Sequence, residues 1–174
     1  MEDLPRRKLP RLRGYDYSQN GYYFITICTH DRKDLLCTVG NAVPGVPIPM
    51  IPTRIGNIVL SAWKRMACVD PYIDTDAFCM MPNHIHGIIC IDYPMQCEAA
   101  ERRGRRSLPE LVRAFKSATT RAYNRIAAAG EKNMLWQSSY YDEIIRNASH
   151  LDAVRSYIDG NPARWAEDEY YTDE

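Results

Sequence analysis

Two imidazoles stand two residues apart in the run Phe78–Ile91, FCMMPNHIHGIICI, as His84-Ile85-His86. The surrounding residues are apolar and β-branched, which predicts a strand, and residues two apart in a strand project from one face. Both rings can then reach one point a few ångströms above a sheet. Two nitrogens so placed can bind a divalent metal and leave positions open for a substrate oxygen. Two hydrogen-bonded histidines at a strand start beside a turn satisfy the same pattern. A histidine pair between buried runs is costly, however, unless something pairs with it.

Tyrosine is the second chemical signal. Of the twelve in the chain, Tyr22, Tyr23, Tyr140 and Tyr141 lie in strand-like runs and read as packing. Tyr157 sits in HLDAVRSYIDGNP with Asn161 four residues on, and an i,i+4 pair shares a helix face, so phenol and amide can meet at one site. Pro162 should push Asn161 out of α geometry, one step past the helix end. Spacing alone does not single out Tyr157 as a nucleophile.

The elements that must position these groups follow from periodicity. Tyr22–Thr29 reads as a strand, and Arg54–Cys68 places Ile55, Ile58, Val59, Ala62, Trp63 and Met66 on one helical face. Ala77–Met81 and His84–Ile91 are strands joined by a tight turn at Pro82-Asn83. Ser107–Ala128 is the clearest helix, opened by a Ser107/Glu110 capping box with Pro109 in its first turn. Tyr140–Ile145 is a fourth strand, and Ser149–Asp159 a last helix stopped by Gly160 and Pro162. Four prolines in Gly40–Pro52 predict an extended loop and not a core element. The order β-α-β-β-α-β-α predicts an α+β, ferredoxin-like antiparallel sheet with an additional C-terminal helix that carries Tyr157. In the third strand, Ile85, Gly87, Ile89 and Ile91 should face the two helices. His84 and His86 should face the other way, where the last helix is free to approach.

Composition excludes several classes. The 174 residues hold 22 Lys+Arg, 22 Asp+Glu and 45% hydrophobic residues, a globular balance. No apolar run is long enough to span a membrane, and the N-terminus lacks the apolar core of a secretory signal. Six cysteines without a Cys-x-x-Cys pair argue against a zinc knuckle and fit reduced thiols in a cytoplasmic protein. The zero net charge hides an uneven distribution. Residues 1–13 hold five basic and two acidic side chains, residues 101–125 eight and two, and residues 126–174 four and ten. That asymmetry fits a polyanion-binding surface, and equally a solvated helix face with an acidic tail. The chain divides into a basic N-terminal arm (1–20), one domain (21–165) and an acidic tail (166–174).

The combination of motifs is recognisable. Phe78–Ile89 resembles the His-hydrophobic-His ("HUH") motif of single-tyrosine transposases. Trp136-Gln137, Tyr140-Tyr141-Asp142, Ile145-Arg146-Asn147 and Tyr157-Ile158-x-x-Asn161-Pro162 resemble the C-terminal signature of the REP-associated tyrosine transposases within that group. The resemblance implies a metal-dependent, ATP-independent endonuclease and strand transferase acting on single-stranded DNA with hairpin repeats. By that resemblance His84, His86 and Asn161 hold Mg²⁺ or Mn²⁺, and Tyr157 attacks to give a 5′-phosphotyrosine. It also implies a monomer or a homodimer. A phenol has a pKa of about 10, so it needs help against an anionic phosphodiester. Arg6, Arg7, Lys8, Arg11 and Arg13 of the arm, with Arg102, Arg103, Arg105, Arg106, Arg113, Lys116 and Arg121, are expected to contact DNA phosphates. Two other readings stand beside this one: a non-catalytic single-stranded nucleic-acid-binding module, and a metal phosphoesterase that uses water. The roles of Asp142 and Glu143, metal ligand or solvated strand end, stay open.

Overall fold

The computed structural model describes residues 12, 14–40, 49–94, 104–127 and 133–171. Arg6, Arg7, Lys8, Arg11, Arg13, Arg102 and Arg103 lie outside them. The central strand β1 (Gly21–Cys28) is apolar on both faces because both are covered. Tyr23, Ile25 and Ile27 point into one core, Phe24 into a second. Around it stand β2 (Cys37–Val39), β3 (Met50–Pro52), β4 (Ile73–Met80), β5 (His84–Ile91) and β6 (Tyr141–Ile145). The four long strands form one antiparallel sheet in the order β4-β5-β1-β6, the ferredoxin-like arrangement.

The two faces carry different layers. Helix α1 (Arg54–Val69) is capped by Thr53, whose hydroxyl accepts from the Gly56 N–H at 3.0 Å. Helix α2 (Leu108–Ile126) starts at the expected box, with the Ser107 N–H donating to Glu110 Oε2 at 2.8 Å. Val59, Trp63, Leu111 and Phe115 from these helices pack on Ile25, Ile85 and Ile89. Helix α3 (Ala148–Gly160) covers the opposite face, where Val154 and Ile158 pack with Phe24, Ile88, Ile145 and Trp165. The alternation read from β5 therefore holds: the histidines face α3.

Three features differ from the sequence expectation. Residues 50–52 of the proline-rich segment form a strand, pairing with Cys37–Val39 in a small hairpin before α1. Pro52 is tolerated because this strand has only one neighbour. Strand β4 begins at Ile73, since its Asp-Thr-Asp stretch hides the alternation, and it is irregular between Thr75 and Phe78. A 3-10 helix over Pro162–Glu167 follows α3 and buries Trp165. Cys28, Cys37, Cys68, Cys79 and Cys90 are free thiols, and burial pushes Cys28 up to about 11. No helix among the described residues is long and apolar enough to cross a membrane.

Gly87 is required for close approach. A Cβ there would lie 2.4 Å from the Trp63 ring, which is wedged between Phe78 and Phe115 at 4.8 and 6.0 Å. Gly87→Ala is expected to cost about 2 kcal/mol through overpacking and lower Tm by roughly 4–8 °C, checked by thermal unfolding.

Candidate catalytic centre

The turn before β5 orients the first histidine. Met81 N–H donates to the His84 carbonyl at 2.9 Å and closes the turn. The buried Asn83 amide nitrogen donates to the Tyr170 carbonyl at 2.8 Å, so its oxygen faces His84 Nδ1 at 2.9 Å. An amide oxygen only accepts; His84 Nδ1 therefore carries the proton, and Nε2 presents a lone pair. His86 Nδ1 lies 2.8 Å from the Thr26 hydroxyl, across the β1–β5 register that pairs the two residues. The two Nε2 atoms are 3.0 Å apart. Nitrogens at about 2.1 Å from a metal on adjacent octahedral corners stand about 3 Å apart. Burial, with His86 beside it, pushes His84 down to about 2, and burial pushes His86 down to about 4. Both rings are thus neutral near pH 7, the form that ligates metal.

Helix α3 brings Tyr157 to the histidines of its own chain. Its hydroxyl is 3.5 Å from His86 Nε2. Its ring meets Phe24 edge-on at 6.0 Å and the His86 ring at 5.3 Å. The residue is 40% exposed, so the hydroxyl opens onto a cleft that Thr26, Tyr141 and Glu143 also line. Burial raises the Tyr157 pKa above its ordinary value, and Asp168 and Glu169 add to the rise. At neutral pH the group is therefore a phenol.

Asn161 departs from the expectation in its backbone. It caps α3 in α geometry (φ −62°, ψ −44°), because Pro162 opens the following 3-10 turn instead of distorting its neighbour. It is buried, and its Oδ1 has no hydrogen-bond partner. A buried acceptor without a donor fits a cation. Asp168 was missed in the sequence because it belongs to an acidic run that reads as solvated tail. Its carboxylate stands 3.9 Å from His84 Nε2, and one ligand atom from each of His84, His86 and Asp168 lies within 4.8 Å of the others. Burial raises the Asp168 pKa, against the pull of the Tyr170 N–H at 2.7 Å and of the Asn161 amide. Two neutral imidazoles, an orphaned amide oxygen and a buried carboxylate form a donor set suited to a divalent ion. The aromatic residues beside Asp168 were the available signal: Tyr170 packs 4.8 Å from the His84 ring, with the Arg32 guanidinium over the Tyr170 ring at 5.1 Å.

The transposase-like C-terminal motif has local structural causes as well. Trp136 is buried and its indole N–H donates to the Thr119 hydroxyl at 2.8 Å. Asn147 caps α3 by accepting from the His150 N–H at 2.8 Å. Arg155 reaches from α3 to Asp76 on β4, with Nε donating to Oδ1 at 3.0 Å and a second bond beside it. Arg155→Ala is expected to leave the global unfolding midpoint nearly unchanged but to speed amide exchange along α3 severalfold, read by hydrogen–deuterium exchange.

The depressed histidines also set a pH dependence. In the unfolded chain they bind protons near their ordinary 6.5; in the folded chain they stay neutral far below it. The unfolded state thus binds more protons as pH falls from about 6.5 toward 4, so stability drops through that window by about 1.4 kcal/mol per unit for each histidine. Urea midpoints measured in EDTA should fall from pH 7 to pH 4.5, with a shallower fall in His86→Ala.

Among the described residues, the expected basic side chains do not join this cleft. Arg113, Lys116 and Arg121 lie on α2, under the opposite face of the sheet, and line a groove against residues 134–140. Lys116 donates to the carbonyls of Gln137, Ser138 and Ser139. Arg105 lies over the Tyr93 ring at 5.1 Å and donates to the Pro94 carbonyl at 2.8 Å. The Arg106 N–H donates to the Tyr93 hydroxyl at 2.8 Å. Asp142 pairs in register with Ile25 and faces the α2 side, whereas Glu143 pairs with Phe24 and faces the cleft.

Comparison with known proteins places this centre in context. Residues 57–161 match the family described as "Transposase IS200 like". The chain is 31% identical over 181 residues to an uncharacterized Haemophilus influenzae protein, covering 98% of this chain and 96% of that one. It is 26% identical over 159 residues to a second Haemophilus influenzae protein with the provisional name REP-associated tyrosine transposase, covering 86% and 74%. The solved structure of a REP-associated tyrosine transposase bound to a REP hairpin superposes with a TM-score of 0.57 at 21% identity, covering 88% of this chain and 73% of that one. At that identity the likeness is one of fold.

Proposed function

Because the chain belongs to the IS200-like transposase family, we propose that it cuts and rejoins single-stranded DNA beside hairpin repeats through a covalent bond to Tyr157. The observation that carries this reading is the phenol oxygen 3.5 Å from one of two neutral imidazole nitrogens that are themselves 3.0 Å apart. His84, His86 and Asn161 would hold a divalent metal, and Asp168 offers a fourth ligand that the resemblance did not include. The nitrogen content of this set favours Mn²⁺ over Mg²⁺. When bound, the ion would polarise the scissile phosphate and stabilise charge on the departing oxygen.

The chain's own residues do the rest. Phe24 and the His86 ring hold the Tyr157 ring on edge, so its oxygen points into the cleft. That oxygen bonds to phosphorus as the P–O3′ bond breaks; the phenol loses its proton and the 3′ oxygen gains one. The link conserves the phosphodiester's energy, so a second 3′-hydroxyl can reverse the step without ATP. Arg113 and Arg121 supply phosphate contacts away from the cleft, which position the strand without reading it. The relative bound to a REP hairpin supports hairpin-bearing DNA as the substrate class.

The test uses the full chain, Mn²⁺ and single-stranded DNA carrying the hairpin repeats beside its gene. Cleavage with religation to a second strand supports the proposal. Cleavage without religation would indicate a water-using phosphoesterase, and binding without cleavage a nucleic-acid-binding module.

A further inference from the structure

The cleft holds a carboxylate that the strand-cutting reaction does not use. The alternation of β6 places Tyr141 and Glu143 on the cleft face, opposite Thr26 and Phe24 of β1. Tyr141 is 42% exposed, and its ring stands edge-on to Phe24 at 6.2 Å; Phe24 in turn touches Tyr157. Glu143 Oε2 accepts from the Tyr141 hydroxyl at 3.1 Å, and Glu143 Oε1 lies 3.2 Å from His150 Nε2. His150 is on α3, two turns before Tyr157, and lines the same cleft.

A carboxylate at the mouth of a cleft that takes a polyanion repels phosphate unless it faces hydrogen-bond donors. Each Glu143 oxygen has one partner here, which leaves lone pairs for more. The donors that DNA can bring are on the bases. Guanine presents two adjacent N–H donors on its Watson–Crick edge, cytosine and adenine one exocyclic amine each, and thymine a single N–H between two carbonyls. An exposed aromatic ring beside such an acceptor is the usual partner of an unpaired base, which stacks on it and is read along its edge.

We propose that Tyr141, Glu143 and His150 form a subsite for one unpaired nucleobase next to the scissile phosphate, selecting guanine first and disfavouring thymine. Tyr141 stacks on the base, and Glu143, held in place by His150, reads its edge. The inference rests on the proposed DNA-cutting function, and it makes this edge strand the source of local sequence preference.

Equilibrium binding tests it without requiring catalysis. Tyr157→Phe protein is titrated with fluorescent hairpin oligonucleotides whose single-stranded flank carries dG, dC, dA or dT at one position at a time. One flank position should favour dG over dT by about tenfold, and Glu143→Gln should abolish that preference at that position only. Tyr141→Ala should weaken binding for all four bases while keeping their order. Equal binding of all four bases at every position, or a preference that survives Glu143→Gln, would overturn the subsite. Absence of cleavage by the unsubstituted chain on the preferred oligonucleotide would instead overturn the DNA-cutting function, so the two failures are distinguishable.

Discussion

Tyr157→Phe is expected to bind hairpin DNA with unchanged affinity and to cut it at least about 10³-fold more slowly. The substitution removes one oxygen and keeps the ring. The edge-on contact with Phe24 and the packing on His86 depend on the ring alone, and the residue is 40% exposed, its hydroxyl 3.5 Å from His86 Nε2 and beside the Asn161 amide. Folding stability should therefore change by less than about 0.5 kcal/mol. A kinetic loss without a thermal shift identifies the lost atom as the nucleophile. Water attack in its place would leave cutting within tenfold of the unsubstituted rate and would refute the assignment.

His86→Ala carries the second large effect. The imidazole is fixed by Thr26 on one nitrogen and faces His84 with the other, so its removal takes a ligand whose orientation has already been fixed by the fold. Mn²⁺ affinity, measured by calorimetry, should fall by more than about 100-fold. Thr26→Val, which removes only the outer partner, should lose about tenfold. The rise in Tm on adding Mn²⁺, which reports binding to the folded state, should vanish in His86→Ala and shrink in Thr26→Val. Equal Mn²⁺ affinity in the unsubstituted protein and His86→Ala would place the metal elsewhere. In that case the histidines would be only a hydrogen-bonded pair in the core.

Much of this centre was legible because local periodicity writes it. The alternation of β5 separated His84 and His86 from Ile85 and Gly87, and the sheet places them on opposite faces as read. The capping box of α2 and the four-residue step from Tyr157 to Asn161 are also local, and both hold. What escaped depends on distant contacts. Asp168 lies 84 residues from its partner His84, and only the turn after Pro162 carries it back, so no spacing in the sequence announces it. Charge is ambiguous for a related reason. Lys116 looked like a phosphate contact, yet in the fold its ammonium holds three carbonyls ahead of β6. Composition cannot tell a cation that awaits an anion from one that ties down a loop. The hairpin of β2 and β3 escaped because its prolines mimic a loop, which an edge strand tolerates.

The central claim is that Tyr157 itself becomes bonded to DNA, and covalent capture tests it most directly. The protein is mixed with Mn²⁺ and 3′-labelled single-stranded DNA bearing the repeat hairpin, denatured in SDS, digested and examined by mass spectrometry. A metal-dependent adduct on the peptide containing Tyr157 is the predicted result. Label on another tyrosine, or cut DNA with no label left on the protein, would contradict it.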